Sequence, residues 1–203
     1  CNGPDTYFVA NVTSGAGKIV EISLFPPGTP TTGSKCGAGS IGLDELACGA
    51  GATCAELRQI CVPGLGSSTR VEGLATMQHP QAAKPWLVYT DIRSLHFIDP
   101  SAPSCTSNCP ATVQVVGSCA VMDGARRVGV TGLAWAGGTT LLGADSSGMI
   151  YRVRVGYDQG TISCDIVRRC PAPGSGSVHA IAFDFNRDIA YVADQGTNTI
   201  FVV

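Results

Sequence analysis

Cysteine is the residue type in this sequence with the widest range of possible chemistry. The chain has ten cysteines and three histidines. Thiolates and imidazoles can bind zinc, but the Cys-x-x-Cys pairs typical of zinc sites are absent from the sequence. An even number of cysteines without such pairs favours disulfides formed in an oxidising compartment. We therefore predict a secreted, extracellular protein whose cysteines are paired.

The sequence signatures of common catalytic sites are missing. There is no Gly-x-Ser-x-Gly elbow, no His-Glu-x-x-His pair and no phosphate-binding P-loop. A Ser/His/Asp triad stays open because its members can be far apart in sequence, but no spacing here indicates one. We name no catalytic residue and no cofactor, and the balance is against an enzyme.

Charge and composition exclude some classes of partner. The 203-residue chain has 13 Lys and Arg against 15 Asp and Glu, so its net charge of −2 leaves no basic surplus for nucleic acid. No apolar run reaches the length of about 18 residues that a membrane span needs. The sequence begins with Cys1 and shows no signal peptide, which predicts a processed fragment. Its 26 glycines favour short strands joined by tight turns.

Two stretches are candidate glycosylation sites. Asn11 begins an Asn-Val-Thr sequon for an N-linked glycan. A Pro- and Thr-rich linker follows, and its Thr29, Thr31 and Thr32 are candidates for O-linked sugar. An exposed loop without sugar fits the linker equally well, and Asn11 could instead be buried as a turn cap.

The sequence contains an internal repeat, and the strands of this repeat would position the side chains of any functional site. Each of three segments combines a short strand of small apolar residues, a continuous apolar strand, a polar turn and a third strand. The first strand suits a crowded position where repeats converge, and the second is typical of a strand buried on both faces. A partial copy opens the chain. Outer fourth strands are expected at Thr112–Val116 and Thr161–Val167.

Three aspartates recur at one position of the repeat. Asp91, Asp145 and Asp194 each end the second strand of their segment, and a short polar turn follows. A residue that recurs in every repeat is expected to have a structural role, whereas a catalytic residue would stand in one repeat only. We predict that these carboxylates cap the turns by accepting hydrogen bonds from turn amides.

The repeat resembles the NHL-type and YWTD-type β-propeller superfamily. The resemblance rests on Ala190-Tyr191-Val192-Ala193-Asp194 with Ile200, and on Leu87-Val88-Tyr89-Thr90-Asp91 with Leu95. It implies an all-β, disulfide-stapled propeller of about four blades, the first and last incomplete. The expected segments are a partial first blade (1–24), a linker with a Cys-rich insertion and an outer strand (25–69), two blades (70–127 and 128–177) and a partial fourth blade (178–203).

The cysteines follow this repeat. We predict that three disulfides staple outer strands or their loops: Cys54–Cys61, Cys109–Cys119 and Cys164–Cys170. Two further pairs, Cys36–Cys48 and Cys1–Cys105, give one possible pairing of the remaining four cysteines. Four cysteines allow three connectivities, so the last two pairs stay open, and Cys1 could instead bond to another chain. The insertion from Cys36 to Cys61 resembles an EGF-like loop with too few cysteines for a full module. It is either a stapled surface loop or a docking module.

Catalytic members of this superfamily bind metal at the mouth of the propeller channel, which indicates where a metal would lie. Glu72 and His179 occupy the matching position in two segments, and Thr131, a poor ligand, occupies it in the third. His79 could join them from the loop that follows. We expect no metal, and we expect Glu72 and His179 to hydrogen-bond to neighbouring strands.

Three functions are weighed. The favoured one is an extracellular structural protein that assembles into a filament, appendage or coat, because the apolar strand Ile200-Phe201-Val202-Val203 lacks an outer partner in the repeat. The second is a ligand- or glycan-binding ectodomain, with Arg126-Arg127 and Arg168-Arg169 as a basic rim. The third is a metal-dependent, lactonase-like hydrolase or a lyase. The expected partners are copies of the chain, glycans or other extracellular proteins.

Overall fold

The computed structural model describes residues 5–11, 18–25, 53–61, 71–100, 115–174 and 176–203. Every regular element in these ranges is a β-strand, which confirms the predicted all-β class. No helix in the same ranges is long and apolar enough to cross a membrane. The strands fall into two compact units.

The first unit contains one antiparallel sheet, which we call sheet A. Its strands are β1 (Asp5–Asn11), β2 (Lys18–Phe25) and β3 (Thr53–Cys61), in that order. The register places Asp5 of β1 opposite Leu24 of β2. The outer strand β3 corresponds to the outer strand expected within residues 25–69.

The second unit contains three further sheets. Sheet B has the order β4 (Gly73–Met77), β5 (Trp86–Thr90), β6 (Leu95–Ile98) and β7 (Val115–Cys119). Sheet C begins with β10 (Val130–Trp135), β11 (Thr140–Asp145), β12 (Met149–Asp158) and β13 (Thr161–Pro171), followed by the short strands β8 (Met122–Asp123) and β9 (Arg126–Arg127). Sheet D has the order β14 (Val178–Asp184), β15 (Ile189–Asp194) and β16 (Thr199–Val202).

Strand β10 of sheet C is covered on both faces, because successive residues of a strand point to opposite sides. Leu133 belongs to the apolar cluster shared with sheet B, whereas the next residue, Ala134, belongs to the cluster shared with sheet D. Every residue of β5 in sheet B is buried as well. The continuous apolar runs in the sequence are therefore strands covered on both sides.

The first strands of sheets B, C and D approach one another at backbone distance. A Cβ added at Gly73 would lie 3.0 Å from the amide nitrogen of Leu133. A Cβ added at Gly132 would lie 3.1 Å from the Cα of Ala180. Residues without bulk are required at Gly73 and Gly132 because neighbouring backbone occupies the space. The crowded first strand predicted from the sequence is confirmed.

Two threonine hydroxyls, one on β5 and one on β10, link consecutive sheets. Thr90 Oγ1 donates to the carbonyl oxygen of Val130 across 2.9 Å, which joins sheet B to sheet C. Thr131 Oγ1 lies 3.1 Å from the carbonyl oxygen of Ala144 and 3.0 Å from that of Val178, which joins sheet C to sheet D. Both threonines are buried, so these hydrogen bonds satisfy hydroxyl and carbonyl groups that water cannot reach.

Candidate functional site

The residues nominated as metal ligands do not form a metal site in the described part of the chain. Thr131 is buried and its hydroxyl is occupied by two backbone carbonyls. His179 is exposed on β14, where its Nε2 lies 3.4 Å from Ser177 Oγ. Glu72 immediately precedes β4 and its amide donates to the carbonyl of Thr90. Within the described ranges no group of three His, Cys, Asp or Glu side chains could hold a metal ion.

His79 is a core residue, so its nomination as a metal ligand is corrected. Only 2% of it is exposed, and its ring stacks on Trp86 with centroids 5.0 Å apart. Its Nδ1 accepts from the amide of Gln81 at 3.2 Å, which places the ring proton on Nε2, 3.3 Å from the carbonyl of Val155. Both nitrogens are therefore engaged. Strand β4 separates His79 from Glu72, and seven residues of extended chain span about 23 Å.

The three recurring aspartates lie where turn caps are expected. Asp91 Oδ1 accepts from the amides of Arg93 and Ser94 at 2.9 and 2.7 Å. Asp145 and Asp194 accept from amides of their own turns in the same way, the donors being Ser147, Met149, Gly196 and Thr197. Each carboxylate satisfies amides that the tight turn leaves unpaired. None of the three carboxylates therefore needs a catalytic interpretation.

Asp145 also binds a tyrosine that the sequence did not single out. The hydroxyl of Tyr151 donates to Asp145 Oδ2 across 2.7 Å, and both side chains are buried. Burial, together with the adjacent Asp145 carboxylate, raises the pKa of Tyr151 well above its ordinary value. Tyr151 lies two residues into β12, and no motif marks it as the partner of the preceding turn. Only the fold brings the two groups together.

Asp91 has a different side-chain partner. Its Oδ2 lies 3.2 Å from His96 Nε2, and the His96 ring stacks on Tyr89 with centroids 4.7 Å apart. Burial acts to raise the pKa of Asp91, but the Ser94 amide, His96 and the Arg93 amide together hold it below its ordinary value. Burial, with the nearby Asp91 charge, raises the pKa of Tyr89 to about 12. These three residues form a polar cluster at the turn between β5 and β6.

The described disulfide joins Cys119 of β7 to Cys164 of β13, so the predicted pairs Cys109–Cys119 and Cys164–Cys170 are wrong. Strand β13 extends from Thr161 to Pro171, longer than predicted, and holds both Cys164 and Cys170. Six residues of extended strand span about 20 Å, whereas bonded cysteines have Cα atoms about 4.4–6.8 Å apart. Cys170 is free and exposed.

The same backbone argument excludes the predicted pair Cys54–Cys61, because both residues lie on β3. Several other predictions concern residues or side chains outside those that the structure describes: Cys36–Cys48, Cys1–Cys105, and sugar at Asn11, Thr29, Thr31 and Thr32. They stay predictions.

The arginines expected at a basic rim lie on the outer half of sheet C. Arg126 and Arg127 form β9, and Arg168 and Arg169 belong to β13. Arg169 is paired with Asp123. The other three are exposed and make no ion pair with the described residues.

An edge strand is the strongest candidate for an interaction site. β16 pairs with β15, and no described strand pairs with its other side. Ile200 is 69% exposed and Val202 is 61% exposed, although both are large apolar residues on a regular strand. A hollow of about 510 Å³ extends across the end of sheet D that holds the turn between β15 and β16, with His179, Asp194 and Ile200 among its lining residues. The apolar side chains and the hollow together form a surface suited to another polypeptide.

Comparison with known proteins gives no relative. No protein-family model and no curated protein match the sequence. Among solved structures, a humanized mutant of the Chaetomium thermophilum Polycomb Repressive Complex 2 bound to the inhibitor GSK126 matches 98% of this chain and 48% of its own, at 9% identity and a TM-score of 0.44. The crystal structure of the Chaetomium thermophilum complex matches 98% and 47%, at 10% identity and a TM-score of 0.41. The chain spans about half the length of these chains, and likeness this weak shows neither its fold family nor its function.

Proposed function

We propose that this chain is an extracellular structural protein that self-assembles through the unpaired edge of β16. The observation that carries the proposal is the one-sided pairing of β16 together with the exposure of Ile200 and Val202. An apolar edge of this kind is a template on which another strand can add.

The backbone of β16 supports strand addition. Ala190 and Val203 exchange two backbone hydrogen bonds of 2.8 and 2.9 Å. Such pairs alternate along an antiparallel ladder, so Phe201 bonds to β15, whereas the amides and carbonyls of Ile200 and Val202 point to the open side. These outward groups can pair with an incoming strand without any change in sheet D.

The side chains of β16 support a protein partner over a small ligand. Phe201 lies opposite Val192, a member of the cluster between sheets C and D. Because neighbouring residues of a strand alternate, Ile200 and Val202 project from the other face of sheet D. The partner would therefore cover an apolar face as well as pair with an edge, and another β-sheet offers both contacts.

A second copy of this chain is the occupant to which we commit. Sheet A ends at β1, which pairs with β2 only among the described strands. Pairing of β16 from one copy with β1 of the next would be heterologous, and a heterologous contact that does not close gives a filament. Pairing of two β16 strands would close a dimer instead.

We also infer that sheets B, C and D are successive blades of an NHL- or YWTD-type propeller, with sheet A as an incomplete blade of the same type. Three features support this inference. Each sheet is built around an antiparallel meander, consecutive sheets of the second unit share apolar clusters, and their first strands lie side by side. The buried disulfide between Cys119 and Cys164 agrees with an oxidising, extracellular location.

The experiment is a comparison of native mass by light scattering for two matched double variants. Ile200→Lys with Val202→Lys places two charges on the proposed interface, and we expect it to convert assemblies into monomers. Val115→Lys with Val167→Lys changes two residues that are 50% and 47% exposed elsewhere, and should leave assembly unchanged. Assembly of the first variant at the wild-type level would contradict the proposal.

A further inference from the structure

Sheet C has a face of exposed arginines that the proposed assembly does not use. Arg152 and Arg154 stand two residues apart on β12, so their side chains share one face, and both are exposed. The register pairs Arg152 directly with Arg168 of β13. Three guanidinium groups are therefore neighbours on one side of the sheet.

A fourth arginine joins this face through the outer strands. The register runs from Arg154 to Asp165 of β13, then to Met122 of β8 and to Arg127 of β9. Residues paired directly across a sheet project to the same side. We call Arg127, Arg152, Arg154 and Arg168 the arginine face. Asp165 is the one acidic residue in these paired rows, so the face has a net positive charge.

The fold does not explain this concentration of charge. Like charges directly opposite each other in a sheet are destabilising, yet Arg152 stands opposite Arg168. No described acidic residue forms an ion pair with either of them, whereas Arg169 on the same strand binds Asp123. A pairing that costs stability and satisfies no internal group is expected where an external anion supplies the missing charge.

We propose that the arginine face binds a linear acidic polysaccharide through its sulfate or carboxylate groups. Neighbouring positions lie about 5 Å apart across the strands and about 7 Å apart along β12, which suits anionic groups that repeat along an extended chain. Each guanidinium can donate two parallel hydrogen bonds to one sulfate or carboxylate. Because the surface of the sheet is open, a long polysaccharide can bind along it through an internal segment, and the ends of the polysaccharide need not be recognised.

Charge and location favour a glycan over nucleic acid. The whole chain has a net charge of −2, so the positive charge of this face is a local excess and not a property of the whole chain. Nucleic-acid surfaces commonly add exposed aromatic rings for stacking, and the rows that build the arginine face contribute none. The disulfide indicates a compartment outside the cytosol, where acidic glycans are the abundant polyanions.

The test is equilibrium binding of the full chain to four immobilised probes: heparin oligosaccharide, oligogalacturonate, neutral dextran and single-stranded DNA of similar length. We expect binding to one or both acidic glycans that weakens as salt is added, and none to dextran. The two glycans tell sulfate recognition from carboxylate recognition. Absence of binding to both, or equally tight binding of the DNA, would overturn the proposal.

Matched variants separate a site from general charge. Arg152→Gln with Arg168→Gln should weaken glycan binding about tenfold, since each exposed charge contact is worth up to about 1 kcal/mol. Arg93→Gln with Arg187→Gln removes the same charge from exposed turns elsewhere and should change affinity less than about twofold. Equal losses of glycan affinity in the two double variants would show that binding depends only on net charge, which would contradict a site at the arginine face. Circular dichroism and native mass verify that both variants fold and assemble like the wild type.

Discussion

Cys119 and Cys164 form a buried disulfide with Cα atoms 5.7 Å apart, and it ties β7 of sheet B to β13 of sheet C. The two cysteines are separated by 45 positions in sequence. Their bond lies beside the apolar cluster that the two sheets share. It therefore holds together two sheets that are also joined by the hydrogen bond from Thr90 of β5 to Val130 of β10.

Removal of this disulfide should destabilise the second unit strongly. Closing a loop of this length restricts the unfolded chain, and Cys119→Ala with Cys164→Ala is expected to cost about 4 kcal/mol of unfolding free energy. Urea denaturation measures the loss. Cys170→Ser, which changes the free cysteine on the same strand, should have little effect. Peptide mapping that recovers Cys164 bonded to Cys170 would contradict the assigned bond.

Gly132 should not tolerate a side chain. In Gly132→Ala the new methyl group would meet the backbone of Ala180 and Ile181 at 3.1–3.2 Å, and backbone cannot rotate away. We expect a loss of about 1–3 kcal/mol in thermal or urea unfolding. In the control Gly143→Ala the nearest atom belongs to the side chain of Val130, which can adjust. Equal stability of the two variants would contradict the close approach of sheets C and D.

Acid should weaken the turn that Asp91 caps. The folded pKa of Asp91 lies below its ordinary value of 3.8, so the carboxylate stabilises the fold above that pH. The contribution is lost as the pH falls from about 4 through the lowered folded pKa. The stability difference between the wild type and Asp91→Asn should therefore shrink over this range. Asp158→Asn, at an exposed position, serves as the control, and a difference independent of pH would contradict the capping contacts.

Recurrence in the sequence predicted local structure well. The all-β class, the crowded first strands and the hydrogen bonds of Asp91, Asp145 and Asp194 follow from residue types within one repeat, because turn chemistry and strand burial are local properties. One strand end was less accurate: the outer strand expected to end at Val116 continues to Cys119.

Contacts between sheets were not predictable. Cysteine spacing suggested bonds within a strand, but extension of β13 to Pro171 separates Cys164 from Cys170 and places Cys164 beside another sheet. His79 was nominated as a metal ligand because the sequence does not show which residues pack around its ring. Its contacts with Trp86 of sheet B and Tyr157 of sheet C exist only after the sheets pack together.

Proline distinguishes the two sides of β16. Ile200→Pro removes an amide that points to the open side, so sheet D should remain folded while assembly is lost. Phe201→Pro removes an amide that bonds to β15, so it should destabilise the sheet itself. Thermal unfolding and light scattering on both variants separate these effects. Unchanged assembly of Ile200→Pro would show that the outward amide is not used.

Hydrogen exchange at β16 tests the central claim, assembly through this edge, most directly. Mass spectrometry of a peptide covering residues 195–203 follows the outward amides of Ile200 and Val202 while light scattering records the mass of the same sample. Pairing with a second copy predicts that protection of these amides rises with protein concentration, together with the mass. Protection that is complete in a monomer, or absent in an assembled sample, would contradict assembly through β16.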